Sequence, residues 1–150
     1  MILSFSRDVF MQRIISGQKK HTIREDQQRR WRVGMHAQLW MHSPRNVSKN
    51  PFQFGEAVIT AIVDVKISRA QRKAFFRYTG KPHWYDIDIE RLARDDGFDS
   101  VDDLLEWFSG DFEGRLLTWG QFRRVGQIIV DELGEYNGET YQKLRSKVSL

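Results

Sequence analysis

The sequence of 150 residues is long enough for one domain with a buried core and too short for two ordinary ones. Hydrophobic residues make up 40% and charged residues 29% of the chain, a composition typical of globular rather than disordered proteins. The absence of cysteine excludes disulfides, zinc–thiolate sites and a cysteine nucleophile.

The net charge of +4 is unevenly distributed along the chain. Residues 1–50 contain ten Lys or Arg against three Asp or Glu, whereas residues 85–113 contain two Arg against eleven Asp or Glu. A basic half attracts phosphate or nucleic acid, and an acidic stretch repels it. The split favours a small anionic ligand or a single groove over a surface that coats DNA; the alternative is two solvated faces that attract each other.

The first eight residues carry charge, and no apolar run in the sequence approaches the ~20 residues that cross a bilayer. We therefore expect no signal peptide, no membrane-spanning segment and a cytoplasmic location.

The first predicted element is a short amphipathic helix, Arg7–Ser16, with Ser6 as its N-cap and Gly17 after its last turn. A turn then leads into an extended segment that ends near residue 24, and residues 25–34 are polar enough to form a loop. Residues 36–42 alternate between apolar and polar side chains, which predicts a strand. Residues 43–52 contain two prolines and predict another loop.

The clearest strand covers residues 57–67, where period-two alternation lasts long enough to indicate a bent or bulged barrel strand. The other predicted elements are a basic helix Arg69–Arg77, a turn at 79–82, a helix Ile89–Asp96 capped by Asp88, a helix from Val101 to Phe108 capped by Ser100, a strand Leu116–Trp119, a strand Gln127–Val130 and a helix Tyr141–Val148. Curved strands with short peripheral helices predict an α+β barrel.

The segment with the most candidate catalytic side chains is Gly17-x-Lys19-x-x-Thr22-x-Arg24. A regular strand places Thr22 and Arg24 on one face and Lys19 on the other. Lys19 can join the other two only if the turn at Gly17 carries it round. The three side chains would then form a basic pocket for a nucleotide-like ligand.

Four segments resemble the ASCH domain (activating-signal-cointegrator homology), which is related to the PUA RNA-binding fold. They are Ser4-Phe5 with the following helix, the segment Gly17–Arg24, the run Asp95–Phe108 and the stretch Phe112–Trp119, in the family's order. The resemblance implies an ASCH-like domain at residues 1–122, a small PUA-like β-barrel, with residues 123–150 as an extension packed on it.

Some bacterial members of the family with this signature are amidohydrolases that remove the acyl group of N4-acetylcytidine through a Lys, a Thr and a Glu. The resemblance places these roles on Lys19, Thr22 and Asp96. Asp96 is one methylene shorter than the family's Glu, a difference in reach of about 1.5 Å, and Asp95 and Glu90 are alternatives for the acid.

The residues themselves allow two routes to amide hydrolysis. Thr22 can act as nucleophile if a Lys19 amine of lowered pKa takes its proton, with Arg24 lowering that pKa or holding the substrate oxygen. Alternatively Asp96 activates water directly and Thr22 orients the acyl group. The purely structural interpretation is a solvated basic turn followed by an ordinary strand.

For the substrate base we expect contacts from Phe5, Trp119 and Trp40; core packing is the favoured interpretation of each tryptophan on its own. The four histidines have no metal-site spacing, so no metal and no cofactor is predicted. Asp64-Val-Lys66 resembles the acid-x-lysine element of metal-dependent nucleases, but the sequence offers no upstream acid, and both groups are expected to face outward.

The predicted partner is a small-molecule nucleoside substrate, bound by a monomer or homodimer. The alternative function is an RNA-binding module, with or without ribonuclease activity, that uses the basic face of residues 13–49. A regulatory sensor would share the pocket without turnover.

Overall fold

A computed structural model describes residues 1–125, and these residues form an eight-stranded sheet with short helices at its margins. The elements in chain order are β1 (Ile2–Phe5), α1 (Asp8–Ser16), β2 (His21–Arg24), β3 (His36–Met41), a 3-10 turn (Val47–Lys49), β4 (Phe52–Ser68), β5 (Lys73–Tyr78), β6 (Tyr85–Ile87), α2 (Ile89–Asp95), α3 (Val101–Phe108), β7 (Phe112–Trp119) and β8 (Arg123–Arg124). The predicted α+β class is confirmed. The elements predicted at Gln127–Val130 and Tyr141–Val148 lie outside the described residues.

Strand β4 organises the sheet, because it is 17 residues long and pairs antiparallel with β3, β5, β7 and β8. Its alternation breaks where the register against β7 shifts between Ile59 and Ala61. Ile59 is buried on one side of the shift, and Ala61 is exposed on the other. The register shift agrees with the predicted bent or bulged strand, and beyond it Val65 and Ile67 are buried.

The sheet does not close into the predicted barrel. Within the described residues, β1 pairs with β3 and β2 pairs with β7, but β1 and β2 do not pair with each other. A closed barrel needs a continuous backbone ladder. Here the Arg24 guanidinium on β2 spans to β1 instead, donating from Nη2 to the Ser4 carbonyl at 2.8 Å.

The N-caps of α2 and α3 are the residues predicted from the sequence. Asp88 accepts hydrogen bonds from the backbone N–H groups of Glu90 and Arg91, and Ser100 accepts one from that of Asp103. Gly17 ends α1 with φ +86°, the left-handed conformation that favours glycine. The predicted cap of α1 was wrong, because Arg7 takes the N-cap position without a side-chain hydrogen bond and Ser6 lies one residue outside.

The predicted helix Arg69–Arg77 was also wrong. A turn precedes β5, and β5 pairs antiparallel with β4 from Lys73 to Tyr78. The basic residues of this segment favoured a solvated helix in the prediction, but the segment forms a strand in which Ala74 is buried. Pairing with β4 satisfies its backbone, and this long-range contact outweighs local helix propensity.

None of the helices in residues 1–125 has the length and apolar character required to cross a bilayer.

Candidate functional site

The turn after α1 brings Lys19 to the same cavity as Thr22 and Arg24. Past the left-handed Gly17, the Lys19 N–H donates to the Arg13 carbonyl at 2.9 Å, and the Lys20 N–H donates to the Asp95 carbonyl at 2.8 Å. These bonds fasten the segment to α1 and to the end of α2 before β2 starts at His21. Lys19 therefore does not follow the strand's alternation, and it lines one cavity with Thr22 and Arg24.

Lys19 and Asp96 form a buried ion pair at the floor of this cavity. The Lys19 Nζ lies 3.2 Å from the Asp96 Oδ1 and also donates to the Asp96 main-chain oxygen. The two residues are 2% and 3% exposed. Gly97 makes room for the pair, because a Cβ at this position would lie 2.9 Å from the Lys19 Cδ.

Burial lowers the pKa of Lys19 to about 8. Removal of the ammonium from water is the largest cause. The Asp96 carboxylate opposes it by charge and hydrogen bonding, while the positive charge of Arg24 lowers the pKa further. A lysine in this setting is neutral in about one molecule in ten at pH 7, against fewer than about one in a thousand for an ordinary lysine.

Arg24 ties Thr22 to the neighbouring strand. Its Nε donates to the Thr22 Oγ1 at 3.3 Å, while its Nη2 holds the Ser4 carbonyl. The guanidinium carbon lies 5.0 Å from the centre of the Phe5 ring. Burial lowers the pKa of Arg24, and the charge of Asp96 opposes this effect. A hydrogen bond from a cation to a hydroxyl oxygen stabilises the alkoxide that nucleophilic attack requires.

The cavity has a volume of about 550 Å³, within the range of small-molecule sites. Five of the predicted site residues line it, namely Phe5, Lys19, Thr22, Arg24 and Asp96. Further rings complete the apolar wall: Phe10, Phe98, Trp107, Phe108 and Phe112. The wall suits a flat, partly apolar ligand that meets polar groups at one end.

The two predicted tryptophans are not among the residues that line this cavity. Trp119 is 7% exposed and belongs to the hydrophobic core at the end of β7. Trp40 donates its indole N–H to the Gln38 side chain at 3.1 Å. The aromatic wall comes instead from α1, α3, the loop between α2 and α3, and the ends of β1 and β7.

Of the three acids considered for catalysis, only Asp96 lies in the cavity. The Asp95 carboxylate lies 3.6 Å from the Arg91 Nε and does not line the cavity. Glu90 lines a separate depression beside Arg94. Asp96 itself sits at the C-cap of α2, so its position depends on the helix that Asp88 begins.

Sequence reasoning missed His21. Its Nδ1 lies 2.9 Å from the Asp96 Oδ1, the same oxygen that Lys19 contacts. The spacing of the four histidines predicts no metal site, and it indicates no other role for His21. The 75 positions between His21 and Asp96 leave no local signal of their contact.

The acid-x-lysine element on β4 is a separate cluster, and the expectation that both groups face outward was wrong for Asp64. Asp64 is 4% exposed and accepts hydrogen bonds from the Arg77 Nε and Nη2 at 3.1 and 3.0 Å. The Lys66 ammonium lies over the Trp84 ring, 4.2 Å from its centre. In residues 1–125 no three His, Asp or Glu side chains are grouped as metal ligands.

Comparison with known proteins gives one structural match. No family model matches the chain, and no curated protein sequence matches it. A crystal structure of ASCH from Zymomonas mobilis matches with a TM-score of 0.49 and 16% sequence identity, over 97% of this chain and 92% of that chain. This chain is similar to an ASCH protein. The four sequence segments described above resemble the same family. At this level of likeness no activity, ligand or residue role passes from that protein to this chain.

Proposed function

We propose that this protein is an amidohydrolase that removes the acyl group from N4-acylated cytosine nucleosides. The observation that carries the proposal is the buried Lys19–Asp96 pair in one cavity with a Thr22 hydroxyl held by Arg24. The substrate class comes from the sequence resemblance described above. The cavity supports it with a volume and an aromatic wall that suit a pyrimidine ring.

The neutral Lys19 amine is the proposed base. A neutral amine keeps two N–H donors and one lone pair. In this site the donors are directed to the Asp96 carboxylate and the Asp96 main-chain oxygen, which leaves the lone pair to accept a proton. The pKa of about 8 makes the neutral form accessible near neutral pH.

Thr22 is the proposed nucleophile. Its Oγ1 gives its proton to Lys19 and attacks the acyl carbon, while Arg24 stabilises the negative charge that develops on oxygen. The C–N4 bond then breaks, the Lys19 ammonium returns the proton to N4, and the cytidine leaves. Water hydrolyses the Thr22 ester, releases the carboxylic acid and restores the hydroxyl.

The test is the release of cytidine from a panel of N4-acyl cytidines by purified protein. Thr22→Ala should reduce kcat by ~10⁴-fold or more if the hydroxyl is the nucleophile. Thr22→Ser keeps a hydroxyl and should retain measurable turnover. Failure of the folded wild type to release cytidine from any member of the panel would reject the proposal.

The second candidate is an RNA-binding module, with or without ribonuclease activity. It is favoured by the basic charge of residues 13–49. It predicts oligoribonucleotide affinity that falls steeply with salt because several phosphates are neutralised. Weak binding that does not respond to salt would exclude it.

A further inference from the structure

A second cleft continues from the proposed catalytic cavity. It has a volume of about 950 Å³. Both spaces are lined by the same four residues, Ser4, Arg24, Glu25 and Ser43. The Arg24 guanidinium donates to Thr22, which lines the first cavity only, and to Ser4, which lines both. The two spaces are therefore adjacent, and a ligand that protrudes from the first cavity would meet the second.

The second cleft is lined by two arginines that form no ion pair with any residue in 1–125. Arg30 and Arg45 line it and are exposed. Within the part of the chain that the structure describes, neither guanidinium has an ion-pair partner. Exposed arginines without an ion-pair partner in this described part of the chain are available for an anionic ligand.

The acids of this cleft do not cancel that charge. Asp26 is turned inward, where its Oδ2 accepts from the Arg115 Nη1 at 2.6 Å and its side chain is 4% exposed. It also accepts from the backbone N–H groups of Arg30 and Trp31. Glu25 is then the one acid of the lining that remains exposed. Among residues 1–125, two unpaired guanidiniums and one exposed carboxylate therefore line the cleft.

We infer that the second cleft binds a phosphate group attached to the sugar of the substrate whose base occupies the catalytic cavity. The inference rests on the proposed function for the identity of that base. Guanidinium groups form paired, charge-assisted hydrogen bonds to phosphate oxygens. The preferred substrate is accordingly a phosphorylated N4-acylcytidine, and the phosphate is either that of a free nucleotide or that of an RNA strand.

Product binding tests the inference independently of turnover. The affinities of cytidine, cytidine 5′-monophosphate, cytidine 3′-monophosphate and a trinucleotide with central cytidine are measured by calorimetry. The proteins are wild type, the double variant Arg30→Ala/Arg45→Ala and the control Arg32→Ala/Arg69→Ala. The control removes two exposed arginines that line neither cavity.

The expected result is that wild type binds at least one phosphorylated ligand about 10-fold or more tightly than cytidine. The preference should disappear in Arg30→Ala/Arg45→Ala and persist in the control, while cytidine affinity stays the same in all three. Preference for a monophosphate identifies a free nucleotide, and preference for the trinucleotide alone identifies an RNA strand. Equal affinity for cytidine and all phosphorylated ligands, or a preference that survives in the double variant, would overturn the inference. Absence of cytidine release from N4-acyl cytidines would overturn the proposed function and leave this comparison interpretable.

Discussion

The ammonium of Lys19 and the carboxylate of Asp96 lie 3.2 Å apart in the protein interior, although 77 positions separate the two residues in the chain. Burial and the Asp96 carboxylate shift the pKa of Lys19 in opposite directions. Burial lowers the pKa of Lys19 to about 8, and Asp96 holds it from falling further. Removal of the carboxylate charge should therefore change how much neutral amine is present at a given pH, and this gives a way to separate the two routes to hydrolysis.

Asp96→Asn removes the carboxylate charge and should lower the pKa of Lys19 below about 8, because the effect that raises it is lost. With Lys19 as the base, kcat/KM rises with pH through this pKa. The rising limb should therefore lie near pH 8 in wild type and at lower pH in Asp96→Asn. The measurement is kcat/KM between pH 6 and 10. If Asp96 activates water directly, the variant should instead lose activity at every pH.

Gly97→Ala should disturb the Lys19 side chain as well as the backbone. Gly97 has φ +90°, and an added Cβ would lie 2.9 Å from the Lys19 Cδ. Gly80 is the matched control, since it has φ +80° and no atom within 4 Å of an added Cβ. Both Ala variants should lose ~1–2 kcal/mol of unfolding free energy from the strained backbone. Only Gly97→Ala should also lose activity; equal kcat/KM in the two variants would contradict this account of the glycine.

His21 is expected to position Asp96 rather than to contact the substrate's reacting atoms. His21→Phe removes the partner at 2.9 Å and should lower kcat by ~10-fold with little change in KM. His21→Gln can still donate to the carboxylate and should recover part of the loss. His36→Phe, at an exposed position of β3, is the control. A loss confined to KM, or no recovery with Gln, would argue against positioning.

Arg24→Lys tests whether activity requires the guanidinium to donate hydrogen bonds to two residues at once. A lysine ammonium is a point charge and cannot hold both the Thr22 hydroxyl and the Ser4 carbonyl as Arg24 does. We expect kcat/KM to fall by ~10²–10³-fold, as for the loss of a donor that stabilises the oxyanion. Wild-type kinetics in Arg24→Lys would show that charge alone suffices.

The local parts of the fold could be predicted from the sequence because local chemistry determines them. Asp88 and Ser100 cap their helices through their own side chains, and Gly17 supplies the left-handed residue that ends α1. Strand β5 could not be predicted in this way, because backbone pairing with β4 defines it and its local sequence does not encode that pairing. The open sheet likewise depends on how β1 and β2 lie relative to each other, which no local pattern records.

In the candidate site, too, residues close together in the sequence could be predicted and long-range contacts could not. Lys19, Thr22 and Arg24 stand within six residues and could be predicted together. Asp96 came from the family resemblance. The contact of His21 with Asp96 depends on the packing of β2 against the end of α2, and it cannot be predicted from spacing in the sequence.

The most direct test of the central claim is the initial rate of cytidine release from N4-acetylcytidine by wild type, Lys19→Ala and Lys20→Ala, with folding checked by circular dichroism. Lys20 is the adjacent exposed lysine, so its variant has the same change in charge outside the cavity. The account predicts rapid release by wild type and Lys20→Ala and a loss of ~10³-fold or more in Lys19→Ala. Wild-type rates in a folded Lys19→Ala protein would contradict it.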